Sequence, residues 1–311
     1  MAVTNFLVNS LPAYVQTNQD IIVRNFALVG GGTRAKIGLQ TGIKSSAYLN
    51  YLDLAPELQD GAGCGFNPLD SITISQRTLE TALIKVDGEI CPESLVGKYA
   101  EYLVRIAATE NDLPFEEYIL RALTDEINKK IEKLIWLGDK TSQSADLKWI
   151  DGFVTMMTAD QLVVKKTIAS GSTALQGINQ VYAAMTDEAV ERGGVIFVSN
   201  GIYRLFLMGL VNANLFHYSG PQDEAPMEYI LPGTNVRVIS TPGLSGDLNI
   251  VGTFADNLVY GCDGEGDNES VDLWWSQDNR TFRYQVKWNS GVQYRYPEQV
   301  VLGTFAAAPT A

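Results

Sequence analysis

Apolar residues recur at helical spacing through one long stretch of the chain, DLPFEEYILRALTDEINKKIEKLIWLG (112–138). This spacing predicts an amphipathic helix with one buried stripe. The stripe consists of Phe115, Ile119, Ala122, Leu123, Ile127, Ile131, Leu134 and Ile135. Asp112 can cap the N-terminus, Pro114 is tolerated in the first turn, and Gly138 can end the helix. At 1.5 Å per residue the helix is about 36–39 Å long, so we expect it to set one dimension of the molecule.

Apolar and polar residues alternate before this helix, in DSITISQRTLETALIKVDGEIC (70–91). Ile72 and Ile74 share one face, and alternation of this kind predicts strands. The dipeptide Asp87-Gly88 is a turn or bulge signal. We interpret the stretch as long strands or a two-stranded projection.

Helical and strand-like stretches follow one another in the rest of the chain. Helical spacing predicts helices over about 92–108, 172–192 and 200–216, with Asn200 as a candidate cap of the last one. Strands are predicted at 195–199, 235–241, 248–253 and 257–262 and over an alternating, aromatic segment at 271–305, with turns at 277–279 and 289–291. This order is typical of an α+β fold in which helices flank a small sheet.

The composition is that of a globular protein with few charges. Hydrophobic residues make up 46% of the 311 residues, and charged residues make up 19%, below the roughly 25% of typical soluble domains. The low charge fits either chance or a surface that other subunits cover. The net charge of −13 argues against a protein built mainly to hold nucleic acid. Residues 1–40 differ, with Arg24, Arg34 and Lys36 against Asp20, a net +2.

The cysteines and the N-terminus indicate a cytosolic protein. Cys64, Cys91 and Cys262 are odd in number and lack the spacing of a metal site, so a reducing compartment is the simpler setting. The first residues lack the basic region of a signal peptide. No apolar run approaches the roughly 18 residues that a membrane span needs.

One glycine-rich motif could bind a nucleotide. Residues Gly30–Ala35 fit G-x-G-x-x-A, and Asp53 follows at about the distance of a ribose-binding acid. The motif needs a helix after it, whereas the sequence that follows, KIGLQTGIKSS, is a poor helix former. A flexible glycine joint is therefore favoured, and a nucleotide-binding enzyme is kept as an alternative.

The remaining candidate sites have structural explanations. The acidic residues Asp263, Glu265, Asp267 and Glu269 resemble a calcium loop, but the required glycine and bidentate glutamate positions do not fit. An exposed acidic turn is favoured, with a weak cation site on a symmetry axis left open. His217 is the single histidine, which excludes a cluster of histidines around a metal. We therefore expect no catalytic residues, no cofactor and no bound metal.

The C-terminal aromatic residues could in principle stack on nucleic acid bases. They are Trp274, Trp275, Phe282, Tyr284, Trp288, Tyr294 and Tyr296. The accompanying basic residues are few: Arg280, Arg283, Lys287 and Arg295. Packing in the core or at an interface is the better explanation.

The order of elements resembles one known family. An N-terminal arm and a β projection precede LPFEEYILRALTDEINKKIEKLIWLGD; VIFVSNGIYRLFLMGL, LPGTNVRVISTPGLSGD and RYQVKWNSGVQYRYPEQVVLG follow. Over essentially the whole chain this succession is similar to the major capsid proteins of tailed bacteriophages, which have the Hong Kong phage capsid fold, also found in encapsulin shells.

The resemblance implies a division of the chain into five parts. They are an N-terminal arm (1–40), a region with an extended β loop, the E-loop (41–91), and a peripheral or P domain (92–149) with a spine helix at 113–137. Next come an axial or A domain (150–262) and the return strands that complete the P domain (263–311).

The resemblance also implies a structural, non-catalytic function. Hexamers and pentamers of the chain would form the icosahedral shell around double-stranded DNA, assembled in the host cytoplasm. A separate scaffolding protein, a portal and decoration proteins are the expected partners, with no sequence-specific contact to DNA and no membrane. The candidate contacts between subunits are Arg24, Arg34, Lys36, Ile72, Ile74, Arg77, Lys85, Asp263, Glu265 and Asp267. An encapsulin-like compartment around a cargo enzyme is the alternative with the same fold.

Overall fold

Two β-sheets, a two-stranded hairpin and five helices make up the described part of the chain. The computed structural model describes residues 32–55, 58, 71–91, 115–213, 228–263 and 270–310. The helices are α1 (Phe115–Leu137), α2 (Phe153–Ala159), α3 (Ala174–Ala184), α4 (Asp187–Glu191) and α5 (Asn200–Asn212). The strands are β1 (Gly38–Gln40), β2 (Ser46–Ala55), β3 (Ser71–Glu80), β4 (Ala82–Ile90), β5 (Val164–Ile168), β6 (Gly194–Ser199), β7 (Glu228–Ile230), β8 (Arg237–Thr241), β9 (Asn249–Phe254), β10 (Leu258–Gly261), β11 (Ser270–Ser276), β12 (Thr281–Tyr294) and β13 (Val301–Phe305).

The long helix α1 is confirmed, with its predicted stripe turned inward over its C-terminal half. Ile127, Ile131, Leu134 and Ile135 are all buried, whereas Ala122 is exposed. Gly138 follows the helix. A glycine is needed at this position because neighbouring backbone atoms come very close, and not because the backbone is left-handed. A Cβ atom there would lie 2.5 Å from the carbonyl oxygen of Ile150, closer than real Cβ contacts come. The predicted first residues, 112–114, lie outside the described part.

The six-stranded sheet has the order β5-β13-β9-β6-β8-β7. Strand β6 is buried along its whole length, as its continuous apolar run predicted. Helices α3 and α5 pack on this sheet through apolar residues such as Ile178, Val181 and Phe206, which are fully buried. The predicted strands at 235–241 and 248–253 are present as β8 and β9.

Two predictions about the helices of this layer are wrong. The helix predicted over 172–192 is interrupted, because Met185 adopts an extended conformation and the Thr186 hydroxyl caps α4 by accepting from the Ala189 N–H. Hydroxyl side chains that bond to nearby backbone groups favour such breaks. Ser199, not Asn200, caps α5 by accepting a hydrogen bond from the Ile202 N–H.

The five-stranded sheet has the order β1-β10-β12-β11, and β4 also pairs with β12. Asp87 and Gly88 lie within β4 and pair one to one with β12, so the predicted turn or bulge there is wrong. Gly88 is opposite Tyr284 of β12, and a Cβ at Gly88 would lie 2.2 Å from an atom of the Tyr284 ring. The glycine thus makes room for an aromatic ring on a neighbouring strand, a requirement that the local sequence cannot reveal.

The turn predicted at 289–291 is also wrong, because β12 is continuous. At this point β12 changes its neighbour: Ser290 is the last residue paired with β4, and Gly291 pairs with Gly261 of β10. A Cβ at Gly291 would lie 2.2 Å from the carbonyl oxygen of Glu80. The predicted turn at 277–279 is confirmed between β11 and β12.

The C-terminal segment is divided between the two sheets. Strands β11 and β12 lie in the five-stranded sheet, whereas β13 pairs with β5 and β9 in the six-stranded sheet. Strand β10, from the predicted A domain, joins the five-stranded sheet. The predicted helix at 92–108 lies outside the described residues.

Candidate functional site

Strands β2 and β3 form an antiparallel hairpin that is a sheet of its own, paired in register from Ser46–Glu80 to Ala55–Ser71. The alternation in the sequence predicts that both strands of the projection lie within residues 70–91. The strand that pairs with β3 is instead β2, and β4 belongs to the five-stranded sheet. At about 3.3 Å per residue, ten residues reach about 33 Å. We call the connection between the two strands, residues 56–70, the tip of the hairpin. A two-stranded hairpin is marginally stable by itself, so its base must hold it.

The base of the hairpin is anchored by an apolar cluster. Leu49 of β2 and Leu79 of β3 are buried against Ile43 and Val259. The ring centroid of Tyr51 lies 5.3 Å from that of Tyr296. These contacts fix the first part of the hairpin to the five-stranded sheet and to the segment after β12.

A polar trio adds a second anchor at the base. Arg77 of β3 forms an ion pair with Asp160, the residue after α2. Its guanidinium carbon lies 4.3 Å from the centroid of the Tyr294 ring on β12. The Tyr294 hydroxyl donates a hydrogen bond of 2.8 Å to Asp160 Oδ2. Arg77 therefore joins the hairpin to two other elements.

The trio keeps its charges at neutral pH. Burial raises the pKa of Asp160, but the Leu162 N–H and the side chains of Arg77 and Tyr294 outweigh burial and lower it overall. Burial raises the pKa of Tyr294 to about 12, where the Asp160 carboxylate adds to the effect and Arg77 opposes it. Burial lowers the pKa of Arg77, yet its bonds to Tyr294 and Asp160 leave it raised. The tyrosine remains a donor and the carboxylate an acceptor.

A cleft of about 280 Å³ opens beside the hairpin base, lined by Glu80, Lys140, Asp151 and seven neighbouring residues. Lys140 Nζ bridges the two acids, 3.4 Å from Glu80 and 3.7 Å from Asp151. Gln293 of β12 donates to the carbonyl oxygen of Thr78 at 2.9 Å. All of these groups are exposed at least in part, so the cleft is open to solvent.

The segment that precedes β1 is fixed to α1 by a buried ion pair. Arg34 Nε lies 3.6 Å from Glu132 Oε1, and both side chains are almost completely buried. Arg34 Nη2 also donates to Asn128 Oδ1 at 2.7 Å. Burial raises the pKa of Glu132, while the bonds from Thr33 and the charge of Arg34 act in the opposite direction.

Two further hydrogen bonds complete this joint. The Thr33 N–H donates to Glu132 Oε2 at 3.1 Å, and the Trp136 indole donates to Thr33 Oγ1 at 2.7 Å. Gly32 has a φ of +90°, and a Cβ atom there would lie 3.2 Å from the Glu132 carboxyl carbon. The end of the glycine motif is therefore held closely against α1, which differs from the predicted flexible joint.

The nucleotide-binding prediction lacks its structural context. In the described residues the glycine motif is followed by a turn over 34–36 and by strand β1, not by a helix. Asp53 lies in β2, where it is paired with Thr73. Residues 32–40, the part of this region that the structure describes, therefore offer no helix N-terminus to bind a pyrophosphate.

The other predicted contact residues are dispersed over the molecule. Lys36 forms an ion pair with Glu228, and Lys85 lies 2.8 Å from Asp87 on the exposed face of β4. Ile72 and Ile74 are paired with Leu54 and Leu52 in the hairpin. Asp263 is buried, and its carbonyl oxygen accepts from the Gly42 N–H at 2.9 Å. Arg24, Glu265 and Asp267 lie outside the described residues, and the role of the whole set in subunit contacts stays a prediction.

Several functional groups were missed in the sequence. Asp160, Asn128 and Glu132 had no assigned role and Tyr294 was assigned to packing, although each contacts a predicted contact residue. Arg77 and Asp160 are 83 residues apart in the chain, and Arg34 and Glu132 are 98 apart. The one available signal was Glu132 itself, a carboxylate between the apolar positions Ile131 and Leu134 of the long helix.

The described residues contain no group of three or more potential metal ligands. Within the same residues, no helix is long and apolar enough to cross a membrane. Of the C-terminal aromatic residues, Phe282, Trp288 and Tyr294 are buried, which confirms packing for these three, whereas Trp274 is 44% exposed. His217 lies outside the described part.

Comparison with known proteins identifies the fold. No protein-family model and no curated protein matches the chain. The structure is similar to that of the satellite phage P4 procapsid including size determination (Sid) protein, with a TM-score of 0.64 and 12% identity over 96% of this chain and 97% of that chain. It is similar to a virus-like particle from Pyrococcus furiosus, with a TM-score of 0.51 and 11% identity over 93% and 98% of the two chains. A third similar structure is the capsid of an empty GTA particle, with a TM-score of 0.53 and 10% identity over 89% and 90%.

These similarities extend along nearly the whole chain and agree with the α+β arrangement of helices and sheets. The chain therefore has the phage major capsid fold, as the order of its elements predicted.

Proposed function

We propose that this chain is a major capsid protein that assembles, without catalysis, into the icosahedral shell around the DNA of a tailed bacteriophage. The observation that carries this proposal is the similarity to the P4 procapsid structure over 96% of the chain and 97% of the other chain.

The hairpin supports an assembly role on physical grounds. Within the described residues its strands β2 and β3 pair only with each other, and Arg77, Leu49 and Leu79 anchor its base. Two isolated strands of this length are marginal in water, so contact with a neighbour would stabilise them. Many weak contacts of this kind, repeated around a closed shell, add up to a stable assembly.

The expected domain roles are part of the proposal. Residues 1–40 are the N-terminal arm, and the hairpin is the E-loop of the region 41–91. Helix α1 is the spine of the P domain, and the six-stranded sheet forms the body of the A domain. Hexamers and pentamers of the chain build the shell in the host cytoplasm, with a scaffolding protein, a portal and decoration proteins as partners.

Electron microscopy of the purified full chain tests this proposal. We expect closed, regular particles in negative stain when the chain is expressed with its genetic neighbours that encode scaffolding and portal proteins. Particles recovered from phage lysates should contain this chain as their most abundant protein and double-stranded DNA inside. A chain that stays monomeric under all assembly conditions would contradict the proposal.

A second candidate, an encapsulin-like compartment, is favoured by the similarity to the virus-like particle from Pyrococcus furiosus. The two candidates share the shell and differ in its contents. Mass spectrometry and nuclease treatment of purified particles separate them: a protein cargo in place of nuclease-protected DNA would favour the compartment.

A further inference from the structure

Strand β5 is an open edge of the six-stranded sheet, and it is more exposed than the strands around it. Within the described residues its one strand neighbour is β13. All four residues from Val164 to Thr167 are exposed, although successive side chains of a strand point to opposite faces. Strand β13 has one exposed residue, and β7, at the other edge of the same sheet, has none. Exposure on both faces is therefore particular to β5.

The backbone of β5 has hydrogen-bonding groups on its open side. The Val164 N–H donates to the Val300 carbonyl oxygen at 3.1 Å, and the Ile168 carbonyl oxygen accepts a bond of 3.0 Å from the residue after β13. In a parallel ladder every second residue directs both of its backbone groups to the same neighbour. The backbone groups of Lys165 and Thr167 therefore point away from β13, where an extended segment can pair with them as a further strand.

Two adjacent positive charges lie on this edge. Among the residues that the structure describes, neither Lys165 nor Lys166 is in an ion pair. Lys165 Nζ donates to the carbonyl oxygen of Thr158 at 2.6 Å, which does not neutralise its charge. The nearest acid along the chain, Asp160, is bound to Arg77. The edge is thus locally basic in a chain whose net charge is −13.

Protection of the edge is the simplest alternative explanation, because lysines on an edge strand oppose pairing with other strands. It accounts for Lys165 and Lys166 but not for Leu162 and Val164, which are 54% and 40% exposed beside them. Exposed apolar side chains favour the association that protection would prevent. Lysines repel a basic strand and attract an acidic one, so this combination selects a partner instead of excluding all partners.

Charge also argues against pairing of this edge with itself. Two β5 strands paired across a two-fold axis would bring four lysines onto adjacent strands, and like charges on neighbouring strands are destabilising. An acidic strand instead places carboxylates beside Lys165 and Lys166 and apolar side chains beside Val164. None of the described strands of this chain contains two adjacent acidic residues. The chemistry of the edge therefore favours a different protein as its partner.

We infer that the β5 edge, residues 164–167, docks an acidic, extended segment of a different protein, which joins the six-stranded sheet as a seventh strand. Main-chain hydrogen bonds to Lys165 and Thr167 supply affinity, and carboxylates opposite the two lysines supply specificity. This inference goes beyond the shell function and does not depend on it, because a single chain carries the edge.

A binding test uses the unassembled full chain and a defined probe. The probe is a fluorescein-labelled peptide, Ser-Thr-Val-Glu-Glu-Val-Thr-Ser, whose order is the same in both directions, so no strand orientation is assumed. The control peptide has lysine at both glutamate positions. We expect saturable binding of the acidic peptide by fluorescence anisotropy and about tenfold weaker binding of the control, because like charges would meet at the edge. Equal binding of the two peptides, or no saturable binding of the acidic one, would overturn the inference.

Thr167→Pro tests the added strand separately from charge. It removes an N–H that points to the open side, keeps both lysines, and places proline on an edge strand, where it is tolerated. Thr167→Val is the matched control, because it keeps the N–H. We expect the proline variant to bind the acidic peptide about tenfold more weakly and the valine variant to bind it like the wild type. A proline variant that binds equally well would show attraction by charge without an added strand.

Hydrogen exchange of the wild-type chain gives a readout that needs no substitution. Saturation with the acidic peptide should slow amide exchange in the fragment that covers residues 162–168, because the N–H groups of Lys165 and Thr167 become bonded. Mass spectrometry of the digested chain measures this. Exchange that is unchanged at saturation would contradict docking on this edge even if the proline variant failed to fold.

Charge reversal separates a different protein from a second copy. Lys165→Glu with Lys166→Glu should abolish binding of the acidic peptide and leave the sedimentation of the unassembled chain unchanged. If the reversal instead removes self-association of the wild-type chain, the occupant is a second copy and the inference is wrong. Failure of peptide binding leaves the proposed shell function standing, whereas a wild-type chain that never assembles contradicts the shell and not the docking edge.

Discussion

The buried pair of Arg34 and Glu132 joins the segment before β1 to the long helix, and its energy balance is unusual. Moving two charges out of water costs several kcal/mol per ion, and their attraction and hydrogen bonds offset that cost only when the pair is complete. Both side chains are at most 3% exposed. Loss of one partner should therefore be much worse than loss of both.

A double-mutant cycle tests this asymmetry. Arg34→Met leaves Glu132 buried without its partner and should lower the free energy of unfolding by about 3–5 kcal/mol. Arg34→Met with Glu132→Leu should recover most of that loss, since no buried charge remains. Urea denaturation of the monomer measures both, and a double variant as unstable as the single one would contradict this account.

Protonation of Glu132 should not weaken the joint. Its pKa is raised in the folded chain, so its contribution to stability is fully present below its ordinary pKa and is lost as the pH rises through the raised value. The joint is thus not an acid-triggered release, in contrast to the anchor at the hairpin base.

The Arg77–Asp160 anchor has the opposite pH dependence. The pKa of Asp160 lies below its ordinary value of 3.8, so the stability it contributes is present above that value and is lost as the pH falls through the lowered one. Arg77→Gln should destabilise the monomer by about 1–3 kcal/mol at pH 7, because a charged hydrogen bond is removed. The difference from the wild type should decrease below pH 3.8. Lys133→Gln, an exposed residue on α1, is the control and should show no such trend in urea unfolding at several pH values.

At the scale of elements, α1 organises the core through its apolar stripe. Ile131 is 1% exposed, whereas Lys133 two residues later is exposed. Ile131→Asp buries an unpaired charge at a cost of several kcal/mol, comparable with the total stability of a domain. We expect no soluble folded chain. Lys133→Asp should remain folded by circular dichroism, and a folded Ile131→Asp chain would show that α1 is peripheral.

The elements that could be predicted from sequence are those whose pattern is repeated locally. Helix α1 and strand β6 have long, consistent apolar spacing, so their type was correct. Gly88 and Gly291 were taken as turns because glycine usually marks one. Each is instead required by a group far away in sequence, the Tyr284 ring and the Glu80 carbonyl oxygen.

Pairing of elements could not be predicted in the same way. The alternation of β3 indicates a strand but carries no information on its neighbour, which is β2 rather than β4. Arg77 was a candidate contact, but its partners Asp160 and Tyr294 meet it only in the folded chain. The candidate site was thus predictable as a list of exposed or charged residues and not as a set of contacts.

At the scale of the whole molecule, the base of the hairpin is held to the rest of the chain, and the proposed function assigns the outer part to contact with a neighbour. Leu49, Leu79 and Arg77 fix the base. Leu52 and Ile74 are directly paired farther out, so an Asn-Gly turn between them can replace residues 53–73 without changing the register.

This shortened chain should keep the free energy of unfolding of the wild-type monomer within about 1 kcal/mol, because none of the buried residues that the structure describes is removed. It should form no stable particles, because the part proposed to contact a neighbour is gone. The contrasting variant replaces residues 68–88 by a Gly/Ser turn and so deletes most of β4, including Ile84, which is 5% exposed in the core. That variant should fail to fold. Thermal unfolding and negative-stain microscopy of both chains test these expectations. A shortened chain that unfolds like the 68–88 variant would place the outer hairpin in the monomer core. A shortened chain that still assembles would show that the outer hairpin makes no essential contact between subunits.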